Sequence, residues 1–228
     1  MSNTVNLLNG LEHLYPDNTV ISQMKRTLHT HPECETAMVD AFSLGQLKSK
    51  LWLIENLPEK LGLVWICAGW YGTLASLMFE RARNKFDKIR SFDIDDTCAA
   101  VADTMNRPWV MDGWQFKAST IDITSIDYYP LQYITHRSDK SEVELVETPD
   151  TIINTSCEHI ENFTEWYMNI PRGTKLILQS NNYFDLDEHV NCSYNLESFD
   201  KKTPMGITTF KGSLDLPSYT RFMKIGIK

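Results

Sequence analysis

From residue 61 onward the chain alternates short apolar runs with amphipathic windows, and no other feature constrains its fold so tightly. LGLVWICAG reads as a buried strand ending at Gly69, and Thr73–Lys85 as a helix with Leu74, Leu77 and Met78 on one face. KIRSFDI is a second strand, followed by a helix over Asp95–Met105, and WQFKASTIDI holds a third strand. DTIINTS holds a fourth, His159–Ile170 a helix, and GTKLILQS a fifth strand. A short helix near Asn195–Lys201 precedes two last strands, GITTFKG and YTRFMKIGIK. Strands and helices in such succession predict an α/β fold: a doubly wound, mostly parallel sheet with helices on both faces. The last two strands are joined through Pro217 by a connection too short for a helical crossover, so they should pair antiparallel.

Residues 1–58 follow a different pattern. Val20, Ile21, Met24 and Leu28 recur at spacings of three and four, as do Leu44, Leu47, Leu51, Ile54 and Leu57. The segment HTHPECET between them contains Pro32 and reads as a turn. The chain therefore divides into an N-terminal helical cap, 1–58, and a sheet domain, 59–228. Within the latter, residues 128–149 should hold a helix in a regular doubly wound fold. They read instead as two β-like arms, YYPLQYITHR and EVELVETP, about a polar SDKS turn, which predicts a β-hairpin insertion. Insertions of this size are often functional or form an oligomer contact, which leaves a homo-oligomer open.

Lys and Arg total 22 against 30 Asp and Glu, a net charge of −8. Such a chain is poorly suited to unaided binding of duplex nucleic acid, where affinity rests on neutralising phosphates. No apolar run approaches the roughly 20 residues that cross a bilayer, so no membrane partner is expected. The N-terminal stretch lacks a basic region followed by an apolar one, and the five cysteines show no CxxC spacing. The expectation is a reduced, cytoplasmic protein without a signal peptide or disulfide framework. The six His and five Cys form no clustered ligand set, so no metal is expected. KSK at Lys48–Lys50 and ERARNKFDKIR at Glu80–Arg90 read as solvated helix faces.

Ligands of open α/β sheets bind beyond the carboxyl ends of the strands. That rule selects four loops. Ala68, Gly69, Trp70, Tyr71 and Gly72 leave the first strand, and the glycines permit close approach of backbone to a ligand. Asp93 ends the second strand, where a carboxylate can accept both hydroxyls of a ribose. Asp122 and Ile123 follow the third strand and suit an adenine edge, with a carboxylate for an amino group and an apolar wall. Asn154, Thr155, Ser156, Cys157, Glu158 and His159 end the fourth strand, where a substrate would meet a cofactor.

These residues resemble class I S-adenosylmethionine-dependent methyltransferases over roughly residues 60–228. The resemblance is carried by VWICAGWYG, by IRSFDIDDTCAAVAD, by Asp122 of STIDI, and by DTIINTSCEHI followed by GTKLILQS. It implies a seven-stranded sheet of order 3-2-1-4-5-7-6 with the seventh strand antiparallel, and S-adenosylmethionine as cofactor. It implies that Ala68, Gly69, Trp70 and Gly72, with Tyr71 in the same loop, line the methionine part. Asp93 would hold the ribose, Ile94 would pack on the adenine, and Asp122 and Ile123 would bound its edge. Asn154, Thr155 and Ser156 would lie under the transferring methyl. The chain departs from the family's G-x-G-x-G motif at Ala68, which replaces the first glycine, and Trp70 and Tyr71 are bulky for such a loop.

Glu158 and His159 are the candidate catalytic residues, His159 as a general base set against the plainer reading of a structural histidine. Cys157 reads as a small helix-start residue, without the Pro-Cys pair of a nucleophile. Asn181 and Asn182, after the fifth strand, and His29 in the cap are candidate substrate contacts, with Glu188, His189 and Asn191 on the same rim. The expected activity is methyl transfer to an acceptor, with a small molecule favoured by the chain's acidity. The alternatives are aminocarboxypropyl transfer, cofactor cleavage, or a non-catalytic cofactor-binding partner subunit.

Overall fold

The computed structural model describes residues 2–137 and 139–228. Met1, at the start of the helical segment, and Ser138, in the polar turn of the hairpin, lie outside the described residues. The sheet begins at β1 (Gly62–Cys67), whose apolar run is buried on both faces, as parallel strands covered by helices require. Val64 and Ile66 point to one face and Trp65 and Cys67 to the other, the period of two along a strand. β2 (Phe86–Asp93), β3 (Phe116–Thr120), β6 (Thr151–Asn154) and β7 (Lys175–Asn181) extend the parallel sheet, and β8 (Ile207–Asp215) and β9 (Thr220–Ile227) complete it. The strand order is β3-β2-β1-β6-β7-β9-β8, and β9 runs antiparallel to both its neighbours. That is the seven-stranded topology which the resemblance implied. The antiparallel ending follows from the short β8–β9 connection, which leaves no room for a crossover.

Two cores flank the sheet. On one face α4 (Leu44–Glu55) and α5 (Thr73–Arg81) cover Val64, Ile66, Ile89 and Ile177. On the other, α8 (Phe163–Asn169) and α9 (Leu196–Lys202) cover Trp65, Phe92, Leu176 and Leu178. β4 (Leu131–His136) and β5 (Glu142–Glu147) form a separate antiparallel pair on this second face. Arg90 of β2 reaches Glu147 at 2.7 Å, and Ser119 bonds Thr135 at 2.7 Å, so polar clasps hold the hairpin to β2 and β3. Glu80, Arg81, Asp87 and Lys88 are exposed, but Arg90 is buried on β2, which corrects the reading of Glu80–Arg90 as a solvated helix face at that end.

The N-terminal helices are α1 (Asn3–Leu14), α2 (Thr19–Thr30), α3 (Glu35–Ala41) and α4, with a 3-10 turn at Pro32–Cys34. Ser2 and Asn18 cap α1 and α2 with side-chain oxygens. Val5, Leu8, Leu28 and Met38 pack on Cys98, Val101 and Met105 of α6 (Cys98–Met105), which α7 (Arg107–Met111) follows. α4 is pinned to the sheet by a buried pair: Ser49 Oγ donates to Gln179 Oε1 at 3.0 Å, and Gln179 Nε2 donates to the Ser49 carbonyl at 3.2 Å.

Two helix starts fall later than the pattern suggested. α6 begins at Cys98 because Asp95 turns its carboxylate onto the Thr97 amide at 2.9 Å, a local bond that competes with helix. The His159–Ile170 window begins as a 3-10 turn over Cys157–His159, and Ile160 is extended with its side chain buried, so α8 starts at Phe163.

Candidate active site

A cavity of about 720 Å³ opens at the carboxyl ends of β1, β2, β6 and β7, within the size range of small-molecule sites. One wall is the loop that leaves β1. Ala68, Trp70 and Gly72 take left-handed conformations, with φ of 54°, 47° and 69°. Only glycine adopts this freely; an L side chain costs roughly 1–2 kcal/mol there. The loop thus keeps a backbone suited to alternate glycines while carrying Ala68 and Trp70. Such strain persists where the surroundings over-determine it, and it clusters at ligand sites. The surroundings here are explicit. The Gly69 amide donates to the Phe92 carbonyl at 3.0 Å and the Gly72 amide to the Gly69 carbonyl at 3.0 Å. Fully buried Asn106 donates to the Gly72 carbonyl at 3.1 Å and accepts from Ser76 at 2.8 Å.

A side chain at Gly72 would stand 2.6 Å from Asn106 Nδ2 and 3.3 Å from Phe116. Gly72→Ala should cost about 2–4 kcal/mol, the sum of left-handed strain and overpacking. Urea unfolding checks it; a loss under about 0.5 kcal/mol would show that the loop relaxes freely.

Asp93 stands half-buried beside this loop. Its Oδ2 accepts from the Trp70 amide at 2.8 Å and its Oδ1 from the Asp95 amide at 3.2 Å. Each oxygen keeps acceptor capacity, since an ionised carboxylate has about four lone-pair sites. The carboxylate is therefore aimed at the cavity before any ligand arrives. Ile94, 71% exposed, presents an apolar surface next to it. Thr73 Oγ1, buried at the start of α5 and lining the cavity, has no hydrogen-bond partner among the described residues.

The opposite wall is built on charge. Glu158 and Arg221 are both buried, with Arg221 Nη1 2.8 Å from Glu158 Oε1 and 3.0 Å from the Thr155 carbonyl. Asn181 Nδ2 donates to the same Oε1 at 2.6 Å. Asn181 and Arg221 are cross-strand partners on β7 and β9, so the cluster ties three strand ends together. His159 sits at the cavity mouth, and desolvation by its neighbours lowers its imidazole below the ordinary value against the opposing pull of Glu158. Cys157 is fully buried, and that burial pushes its thiol well above the usual range, which removes any thiolate role.

The roof comes from the N-terminal helices and the β8–β9 turn. Gly45 lies under Tyr219, whose hydroxyl would meet a Cβ there at 3.2 Å. Lys50 on α4 lines the cavity, 8% exposed, with Nζ donating to Gln46 Oε1 at 2.5 Å. Burial lowers its pKa to about 7, and nearby Arg221 adds to the effect while Asp40 and Glu158 oppose it. Lys48 is exposed as expected, but buried Lys50 corrects the reading of Lys48–Lys50 as a solvated face, because helix periodicity does not say what the face meets. Arg221 had a weak signal: a lone Arg inside an apolar strand must find a carboxylate.

Of the residues singled out from sequence, Ala68, Gly69, Trp70, Asp93 and Ile94 line the cavity. So do Thr155, Ser156, Glu158, His159 and Asn181. Others do not. Tyr71 is buried in the helical layer with Leu28 and Met38, although it stacks on Trp70 at 5.0 Å. Gly72 shapes the loop from behind. Asp122 turns Oδ1 to the Thr124 amide and hydroxyl, at 2.9 and 2.7 Å, and Ile123 is buried in the second core. Asn154 is buried and accepts from the Ser156 amide at 2.8 Å, orienting that loop from below. Asn182 accepts from the Thr220 amide at 2.7 Å, and His29 is exposed on α2 away from the cavity.

No protein-family profile matches the chain, and no curated protein matches it in sequence. Solved structures do match in fold. The CurJ carbon methyltransferase is 14% identical with a TM-score of 0.52, covering 100% of this chain and 72% of that one. The N-methyltransferase NodS of Bradyrhizobium japonicum is 11% identical with a TM-score of 0.52, covering 82% of this chain and 99% of that one. The Haemonchus contortus phosphoethanolamine N-methyltransferase 2, solved with S-adenosyl-L-methionine, is 10% identical with a TM-score of 0.51, covering 81% of this chain and 53% of that one. The fold is that of the class I S-adenosylmethionine-dependent methyltransferases.

Proposed function

We propose that this protein is an S-adenosylmethionine-dependent methyltransferase acting on a small molecule. The observation that carries the reading is Asp93, held by two backbone amides and aimed into a cavity whose other wall is a loop kept left-handed at alternate positions. The residues present fit the cofactor. Asp93 has free acceptor sites for a ribose, Ile94 an exposed apolar face for a base, and Thr73 an unpartnered hydroxyl at the start of α5. Ala68, Gly69 and Trp70 would hold the methionine end. The fold's relatives, which include carbon and nitrogen methyltransferases, support the same cofactor.

When bound, the cofactor supplies a methyl on a sulfonium, open to in-line displacement. The chain's task is to hold an acceptor opposite that methyl, and orientation alone can supply several kcal/mol. Thr155, Ser156 and Asn181 face the acceptor space, with Glu158 and His159 as its polar wall. Lys50, close to its neutral point at pH 7, takes the acceptor's proton from the roof side. Asp40 of α3 and Leu44, Gln46 and Lys50 of α4 cover the site on one side, and a cavity of this size suits a small acceptor. A net charge of −8 speaks against nucleic acid.

Calorimetric titration with S-adenosylmethionine and S-adenosylhomocysteine tests the cofactor half. Wild type should bind both, and Asp93→Ala should bind at least about 100-fold more weakly, near 2.7 kcal/mol. A wild type that binds neither would overturn the reading.

A further inference from the structure

We propose that Glu158, His159 and His189 form a binding site for a divalent ion of the zinc class at the acceptor end of the cavity. The three are dispersed in sequence but meet in the fold. Each offers one ligand atom, and these atoms lie within 4.8 Å of one another. Zinc bonds to nitrogen and oxygen near 2.0–2.1 Å would need ligand atoms roughly 3.3 Å apart, a contraction within reach of side-chain rotation. All three residues line the cavity.

Three features point to a ligand rather than to a fortuitous cluster. His189 Nδ1 faces the Tyr183 carbonyl at 2.6 Å, so that nitrogen carries the proton and Nε2 keeps its lone pair. Metal-bound histidines are held in this way, with the second ring nitrogen tied to a carbonyl or carboxylate. The rings stand perpendicular, 4.6 Å between centroids, so they do not stack face to face and shut the space between them. Finally, Glu158 is 2% exposed, and Arg221 and Asn181 both bind its Oε1. Among the described residues its Oε2 has no hydrogen-bond partner. A buried carboxylate oxygen left without a partner carries a desolvation cost that a cation would remove.

The ligand set indicates the ion. Two imidazoles and one carboxylate suit zinc and its neighbours rather than magnesium or calcium, which favour all-oxygen shells. Three protein ligands leave a position open, as in catalytic rather than structural zinc sites. The role of that position rests on the function proposed above: it would hold the acceptor's hydroxyl, thiol or amine and favour its deprotonated form for attack on the methyl. Arg221 offsets part of the Glu158 charge, while Asp185, Asp187 and Glu188 surround His189 in sequence with acid.

The chelator-treated full chain is titrated with Zn²⁺ by calorimetry and with Co²⁺ by visible absorption. One ion per chain is expected, with a cobalt d–d spectrum. His189→Ala and His159→Ala should each weaken binding at least tenfold while S-adenosylhomocysteine binding stays within about threefold, which shows that the fold is intact. A wild type that binds neither ion, or variants that bind unchanged, would overturn the site. Zinc binding without S-adenosylhomocysteine binding would leave the metal site standing and overturn the function. Cofactor binding without zinc binding would do the reverse.

Discussion

Arg221→Met should destabilise the protein by about 3–5 kcal/mol, because it strands the Glu158 carboxylate in a buried site. Both side chains of the pair are almost wholly excluded from water, at 4% and 3% exposure. Surface ion pairs contribute little, but breaking a buried one is expensive because the remaining charge keeps its desolvation cost without its partner. Asn181 alone would then face the carboxylate. At about 2–4 °C per kcal/mol for a chain of this size, Tm should fall by roughly 10 °C. The cause is separable from lost packing. Adding Glu158→Gln removes the stranded charge and should recover at least about half of the loss. A single variant that loses under about 1 kcal/mol would mean that water reaches the pair. A double variant no better than the single one would move the cause from charge to shape.

Lys50→Met should change how stability depends on pH. The wild-type amine falls from 10.5 to about 7 on folding. The folded state then binds fewer protons than the unfolded one across that window, so stability rises with pH. The cost of burying Lys50 is complete below pH 7 and disappears as pH climbs toward 10.5. At about 1.4 kcal/mol per pH unit, the wild type should gain about 4–5 kcal/mol between those limits relative to Lys50→Met. Other groups titrate there too, but the difference between the two proteins cancels them. Arg221, Asp40 and Glu158 are the charges that face Lys50, and all three are unchanged in the variant. Parallel pH curves for the two proteins would show that Lys50 is hydrated, and would remove its proposed role as proton acceptor as well.

The central strands were legible as apolar runs such as LVWIC of β1, buried on both faces, while their order across the sheet came from the family resemblance. Once those runs are ordered, their carboxyl ends define a crevice, and Asp93 and the loop after β1 must border it. That reasoning is local plus topological, so the sequence alone supports it. The same reasoning reaches Asp122 and Ile123 only as far as the loop they occupy. Whether a side chain in that loop turns to the cavity, to Thr124 or to the core depends on bonds a residue or two away, and the folded chain resolves them otherwise.

Lys50, Arg221 and His189 belong to a different class. Each owes its chemistry to residues far off in sequence: Lys50 to burial by what packs against α4, with Arg221 adding to it, Arg221 to Glu158, and His189 to His159. A helix period tells that Lys50 lies on one face of α4, but not that this face roofs a cavity. The sequence by itself determined the elements, their succession along the chain and the crevice at the strand ends. Only tertiary structure decided which charges are buried, because burial is set by what packs across a gap and not by the chain on either side of it.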